Sequence, residues 1–547
     1  MFKVEFPLFI MILSIITSCS ATKRKVDLIL CNAKIYTVDK DFSIADCVVI
    51  DSGKILESGT KEKIFAKYDS KETIDLNGKF VYPGFIDAHC HFYNYAVDQL
   101  QADFTGTKSF DEILEILRRF QQVNKSNWIT GRGWDQNDWD IKEFPDNKKL
   151  DSLFPDTPVL ITRIDGHAAL ANTAALKIAG ISTSSRIDGG KILVENGKLT
   201  GILIDNAIES ASKFIPKPTV KDKISALKSA SLKCFGVGLT SVGDAGLDKE
   251  IVLLIDSLQK SGDLRMKVYA MLSANKENLE TFVFKGIYKT PFLNVRSIKL
   301  YADGALGSRG ACLLKPYSDQ ADNYGIMVAK ADTIKSICEI AMKYGYQVNT
   351  HAIGDSAMRT VLDIYSYFLK SKNDLRWRIE HSQVVSPDDI DKFGKFSIIP
   401  SVNMVHATSD MYWAEKRLGA TRIKFAYAYK NLLQQNGWLC NGSDFPVENI
   451  NPIYGFYAAV MRKDLKGFPE KGFQIENAIS REEALKAMTI WAAKSFFEED
   501  EKGSVEAGKY ADIVVLDRDI MTVAEKDIPL AKIVMTFING KKVYSSK

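Results

Sequence analysis

Six histidines occur in the 547-residue chain, and four of them, with one lysine and one aspartate, close short apolar runs in the order His89, His91, Lys299, His351, His381, Asp444. Imidazole and carboxylate are the donors that a borderline divalent cation prefers. A lysine able to carry a carboxylate adds two further oxygens, and the whole set is what two divalent cations need to share one hydroxide. The pattern points to metal-dependent hydrolysis. Usage this sparse makes four histidines at such positions a signal rather than a coincidence. In the segment Ala88-His89-Cys90-His91, alternate side chains of an extended strand share one face, so both imidazoles point the same way while Cys90 points into the wall.

These residues need a scaffold that gathers strand ends. Apolar runs near Phe85–His89, Leu239–Val242, Met266–Ala270, Ser297–Tyr301, Gln347–Thr350, Arg378–Glu380, Phe396–Pro400 and Trp438–Asn441 read as strands, with helical patterning between them. Eight is the number of an α/β, TIM-like (β/α)8 barrel, whose active site lies at the C-terminal ends of the strands. Spacings of 29 residues from Leu239 to Val268, 31 from Val268 to Lys299 and 30 from His351 to His381 suit one βα unit each. The 148 residues from His91 to Leu239 do not. That excess predicts an inserted α/β subdomain within 92–235 of a barrel spanning 85–499, placed over the barrel mouth. It carries a helix opened by a capping box at Ser109-Phe110-Asp111-Glu112 and a hairpin, Lys191–Val194 with Leu199–Ile202, turned by Asn196-Gly197. A second capping box, Ser480 to Glu483, opens a helix expected to reach about Phe497. Residues 26–84 alternate like a small antiparallel β unit, and 500–547 repeat the style, so the two ends are expected to form one β-sandwich.

Composition narrows the partners. A net charge of +4 with both signs mixed gives no support to nucleic-acid binding, and a small-molecule substrate is expected. Lys3 and the apolar run Phe6–Ile16 read as a signal peptide over residues 1–19, since the run is far short of the roughly 20 residues of a membrane span. Ile16-Thr17-Ser18-Cys19 resembles a bacterial lipobox, with Cys19 lipidated. The mature protein would then be lipid-anchored in the bacterial cell envelope, periplasmic or facing the outer membrane, with membrane contact only through that anchor. A plain secretory signal cleaved near Ser20 or Ala21, or an uncleaved anchor, is the alternative. The other seven cysteines are odd in number and scattered, which does not suit a disulfide scaffold; Cys31 and Cys47, in neighbouring strands, could pair, but read rather as buried small hydrophobes.

Val81-Tyr82-Pro83-Gly84-Phe85-Ile86-Asp87-Ala88-His89-Cys90-His91, with His351, His381 and Asp444 on strands five, six and eight, resembles the amidohydrolase superfamily. Gly131-Arg132-Gly133-Trp134-Asp135, Asp165-Gly166-His167-Ala168-Ala169-Leu170 and Asp303 to Arg309 look like the branch that contains N-substituted formamide deformylase. The resemblance covers nearly the whole mature chain. It implies two divalent metal ions, Zn²⁺ by the donor types, with His89, His91 and Asp444 on one and His351 and His381 on the other. It also implies that Lys299, on the fourth strand, is carboxylated and bridges them; the alternative is an ion-paired Lys299 beside a single metal. The activity implied is hydrolysis of a non-peptide carbon–nitrogen bond, amide-like and of N-formyl or N-acyl type, with Asp444 moving the proton. Ester, lactone or phosphotriester hydrolysis at the same centre is the rival reaction, and a lipid-tethered binding protein without catalysis the rival class. Trp134, His167, Arg309 and His406 are the remaining candidates to face substrate, against ordinary packing or surface roles, and a homo-oligomer is compatible with everything above.

Overall fold

The structure is a computed structural model that describes residues 2, 22–136, 139–164, 168–187 and 190–546. Cys19, and with it the expected signal peptide, lies outside the described residues, as does His167. Among the described residues no helix is long and apolar enough to cross a membrane.

All eight expected barrel strands form: β1 (Phe85–Cys90), β2 (Leu239–Leu247), β3 (Lys267–Ser273), β4 (Leu293–Tyr301), β5 (Gln347–Ala352), β6 (Arg378–His381), β7 (Ile399–Val402) and β8 (Cys440–Asn441). Each pairs in parallel with the next. Their residues are buried on both faces, which is why these runs read as nearly continuous apolar stretches rather than as alternation. The ring is completed beyond the two residues of β8, where the Asp444 amide donates to the His89 carbonyl at 2.8 Å and the His91 amide to the Phe445 carbonyl at 2.8 Å. Gly442 makes this approach possible, since a Cβ there would sit 2.4 Å from the His89 nitrogen. Register sets Tyr301 opposite His351 and Ala352 opposite His381, so the chemistry-bearing residues meet at one end of the barrel. β7 begins three residues later than the sequence suggested, because Phe396 to Ile398 close the preceding helix instead.

The segment after β1 carries its own six-stranded sheet, in the order Gly190–Glu195, Lys198–Asp205, Ala168–Ala171, Val159–Arg163, Ile129–Trp134, Ala102–Asp103. Its core holds Phe104, Ile113, Leu117, Trp134, Ile161 and Leu170. The hairpin turns where expected, with Asn196 at φ 51° and Gly197 at φ 73°. The helix Phe110–Asn124 begins at Ser109, whose hydroxyl accepts from the Glu112 amide, while the Glu112 carboxylate accepts from Lys108 one residue before the cap.

Both chain ends join one eight-stranded sheet. Ile513–Leu516 pairs antiparallel with the end of Tyr68–Pro83, and Ile533–Ile538 and Lys541–Ser545 extend the sheet beyond it. The expectation of a purely antiparallel unit is corrected at its centre, where Arg24–Tyr36 runs parallel to Tyr68–Pro83. The helix Lys61–Lys67 returns the chain to the starting side, and a crossover of that kind permits parallel pairing. Cys31 and Cys47 are buried free thiols. The helix expected from Ser480 to about Phe497 has its capping box but breaks at Thr489, giving Arg481–Ala487 and Ile490–Ser495.

Candidate metal centre

His89 and His91 leave the end of β1 on the same side, with Cys90 buried in the core between them. Their Nε2 atoms lie 3.5 and 3.3 Å from Asp444 Oδ1, and the ligand atoms of the three residues all fall within 4.8 Å of one another. His381 packs against this group, its ring centroid 4.9 Å from that of His89, and His351 lies edge-on to His381 at 4.5 Å. Lys299 Nζ, fully buried, sits 3.1 Å from His89 Nε2. All six expected residues therefore gather at one end of the barrel. His351 differs in turning its Nε2 toward Asp303 Oδ1 and the Gly304 carbonyl, each at 3.5 Å.

What the far side of each ring does is informative. His89 Nδ1 is held by the Glu380 carboxylate, His91 Nδ1 donates to the Ala245 carbonyl at 3.1 Å, and His381 Nδ1 to Asn403 Oδ1 at 2.9 Å. Tying the outer nitrogen fixes the tautomer and leaves the Nε2 lone pair facing inward, the arrangement found around metal-ligating imidazoles. Among the described residues, buried Asp444 Oδ1 has no hydrogen-bond partner although it lies among these nitrogens. Inward lone pairs around an orphaned carboxylate oxygen repel one another unless a cation lies between them, so the donor set fits a divalent metal.

Electrostatics agree. Burial, then the neighbouring Lys299 ammonium, pulls His89 down to about 4 and His351 to about 3; burial and the facing His351 hold His381 well below the ordinary imidazole range. The rings are therefore neutral and able to ligate at neutral pH. Burial alone would raise Asp444, but the adjacent His91 and the surrounding imidazoles hold it well below the usual carboxylate range. Burial draws Lys299 down to about 8 despite the Glu380 and Asp444 carboxylates. The backbone is strained at the same places, with His381 at φ 71° and Asp444 at φ 63°, a region that non-glycine residues enter at a cost and that concentrates at functional sites.

Glu380 was missed in the sequence. It is buried between Arg378, which grips both its oxygens at 2.8 and 2.7 Å, and the Ser401 hydroxyl at 2.7 Å, while Arg378 also donates to the Ala88 carbonyl beside His89. The signal was present: Arg378 and Glu380 are opposite charges at alternating positions of one buried strand, and they must face each other inside the barrel.

One of the expected substrate contacts is corrected. Trp134 is 0% exposed within the core of the inserted sheet, where its indole donates to the Ile161 carbonyl, so it packs its own subdomain. Arg309 holds Asp319 through two hydrogen bonds, at 3.1 and 2.8 Å, and shares that carboxylate with Arg417. His406, by contrast, is at the centre: its ring lies parallel to that of His381, and its Nε2 is 3.9 Å from Asp444 Oδ2.

The amidohydrolase family matches residues 72–544. The chain belongs to that family. This amidohydrolase is 33% identical to the protein LONG AFTER FAR-RED 3 of Arabidopsis thaliana, over 95% of this chain and 91% of the relative. It is 25% identical to the N-substituted formamide deformylase of Arthrobacter pascens, over 94% and 97%. Among solved structures, an uncharacterised metal-dependent hydrolase from Pyrococcus horikoshii superposes with a TM-score of 0.76 at 30% identity, covering 91% of this amidohydrolase and 99% of that chain. The amidohydrolase is therefore a metal-dependent enzyme on a TIM-like barrel.

Proposed function

We propose that this amidohydrolase cleaves a non-peptide carbon–nitrogen bond, of N-formyl or N-acyl amine type, in a small molecule. The observation that carries the reading is the buried, unpartnered Asp444 Oδ1 encircled by imidazoles whose outer nitrogens are tied. His89, His91 and Asp444 would hold one divalent ion and His351 and His381 a second, Zn²⁺ by donor type, with Lys299 carboxylated between them. When bound, the ions supply Lewis acidity toward the carbonyl and lower the pKa of water from 15.7 to about 7. Asp444 then accepts the proton of the attacking water and returns it to the nitrogen as the carbon–nitrogen bond breaks. An amine leaves poorly unless protonated, so one carboxylate beside the reacting carbon serves as base and then acid. The similarity to a formamide deformylase over nearly the full length of both chains supports this choice of bond.

For Lys299, the neutral amine adds to CO2, forming a nitrogen–carbon bond and releasing one proton, and the product offers two oxygens where a single ammonium stands now. Lipidation of Cys19 would tether the enzyme in the bacterial envelope, a reading supported by the lipobox-like Ile16-Thr17-Ser18-Cys19; a mature protein lacking an acylated N-terminal cysteine by mass spectrometry would overturn it. The activity is tested on protein purified without chelator by following amine release from a panel of N-formyl and N-acyl amines, with zinc measured on the same sample. Two zinc ions per chain and amine release are expected. Hydrolysis of esters or phosphotriesters with no amide cleavage would reject the bond assignment, and one zinc per chain would reject the bridge.

A further inference from the structure

His406 lies in the loop after β7, in the short helical turn His406–Ser409, and is 8% exposed. Its Nε2 is buried and, among the described residues, has no hydrogen-bond partner. Leaving such an atom unsatisfied is costly, and folds accept that cost mainly where an incoming group will supply the missing partner. The ring is parallel to that of His381, with centroids 6.0 Å apart, and its Nε2 lies 3.9 Å from Asp444 Oδ2. The two oxygens of Asp444 are thus divided: Oδ1 faces His89 and His91, and Oδ2 faces His406.

The anionic oxygen selects the tautomer. An N–H pointing at a carboxylate is attracted to it and a lone pair is repelled, so the proton of His406 resides on Nε2. At 3.9 Å that proton does not reach Oδ2 in a hydrogen bond, so its bonding capacity remains for a group entering beside Asp444.

The loop holds this donor in place from both ends. Asn403, three residues earlier, accepts from His381 Nδ1, donates to the Gly442 carbonyl at 3.2 Å and has its own carbonyl fixed by Tyr429 at 3.0 Å. The Met404 amide is bound by Asn441 Oδ1 at 2.9 Å. On the far side Tyr427 donates to Asp410 at 2.8 Å, and Ser409 to Glu448 at 2.5 Å. The same contacts that orient His381 therefore orient His406, which is the preorganisation a charge-stabilising donor requires.

We infer that His406 is a catalytic residue whose Nε2–H donates to the substrate oxygen that gains negative charge as water adds to the reacting carbon. The inference rests on the proposed hydrolysis for its reaction, but not for the position of the donor. In the balanced step, water adds to the carbonyl carbon and gives its proton to Asp444, the carbon–oxygen π pair moves onto the carbonyl oxygen, and the His406 hydrogen bond to that oxygen strengthens without transfer of its own proton.

The test compares zinc-loaded wild type, His406→Phe and His406→Gln. Phenylalanine keeps the parallel ring against His381 and removes the donor; glutamine keeps an amide donor. The expected result is unchanged zinc content, kcat lowered about 10²–10³-fold in His406→Phe with little change in KM, and partial recovery in His406→Gln. Methylphosphonate, a tetrahedral oxyanion, should bind His406→Phe about tenfold or more weakly than wild type by calorimetry. Unchanged kcat and unchanged methylphosphonate affinity would overturn the role, and loss of zinc would make His406 a metal ligand instead. If wild type cleaves no N-formyl or N-acyl amine, the bond assignment falls, and the methylphosphonate comparison still decides His406: wild type binding no more tightly than His406→Phe overturns it.

Discussion

At the end of the barrel that meets the terminal sheet, Lys267 and Asp512 pair at 2.6 Å with both side chains almost wholly buried, and Lys502 joins Glu498 at 2.6 Å and the Ser241 hydroxyl at 2.7 Å. At the opposite end the buried polar groups are arranged otherwise: imidazoles tied on their outer side turn their other nitrogens inward, and among the described residues Asp444 Oδ1 and His406 Nε2 have no hydrogen-bond partner. Both ends bury charge inside one barrel. In the floor each cation meets an anion of the same chain, which fastens the barrel to the sheet. At the mouth, beside Lys299 and the Arg378–Glu380 pair, Asp444 Oδ1 and His406 Nε2 are left for a partner from outside the chain. The difference separates a fastener from a reaction site without reference to any relative.

Asp444→Asn should break the mouth most severely. Asparagine is isosteric but cannot shuttle a proton, so turnover should fall by about 10²–10⁴-fold, with far-ultraviolet circular dichroism unchanged; near-wild-type kcat in the zinc-loaded variant would remove Asp444 from the mechanism. The floor should respond in the complementary way. Asp512→Asn leaves Lys267 buried without its counter-charge and should cost about 3–5 kcal/mol in urea unfolding, while activity per folded molecule is preserved. Loss of turnover at full stability would mean that the two ends are not separate in function.

Acid should distinguish the ends more gently. In metal-free protein, His89 and His351 protonate only near 4 and 3. Their unfolded counterparts take up a proton near 6.5, so below that pH the unfolded state binds more protons and stability falls as pH falls. Each imidazole should contribute a loss of up to about 1.4 kcal/mol per pH unit until the folded value is passed. Urea midpoints at pH 7 and pH 5, with chelator and then with zinc, measure it, and a metal-free midpoint that is flat across this range would contradict the neutral, inward-facing imidazoles. The smallest effect belongs to Arg309→Ala. Its pair with Asp319 is partly exposed, so stability should change by no more than about 1 kcal/mol and kcat/KM should stay near wild type; a large rise in KM would place Arg309 at the substrate.

The strand ends were legible because short apolar runs and barrel spacing act over short range: His89, His91, His351, His381 and Asp444 each lie at or just beyond the end of such a run. What lay beyond reach depended on long-range packing. Trp134 has the composition of a substrate contact, and only the six-stranded sheet around it shows that its ring serves as core. His406 offered no local signal that its loop would be pinned between strands six and eight. The parallel pairing of Arg24–Tyr36 with Tyr68–Pro83 was likewise hidden, since the same alternation suits either direction. Glu380 was recoverable, through the need of a buried strand to satisfy its own charges.

The position of Tyr68–Pro83 between Arg24–Tyr36 on one side and Ile513–Leu516 on the other has a consequence for biogenesis. The ribosome makes that strand more than 400 residues before the segment that covers its second edge. During that interval the backbone groups at its Phe80–Pro83 end are open to pairing with any passing chain. The last strands thus act as a latch, and a nascent chain released before residue 513 would carry a sticky edge into the cell's quality-control machinery.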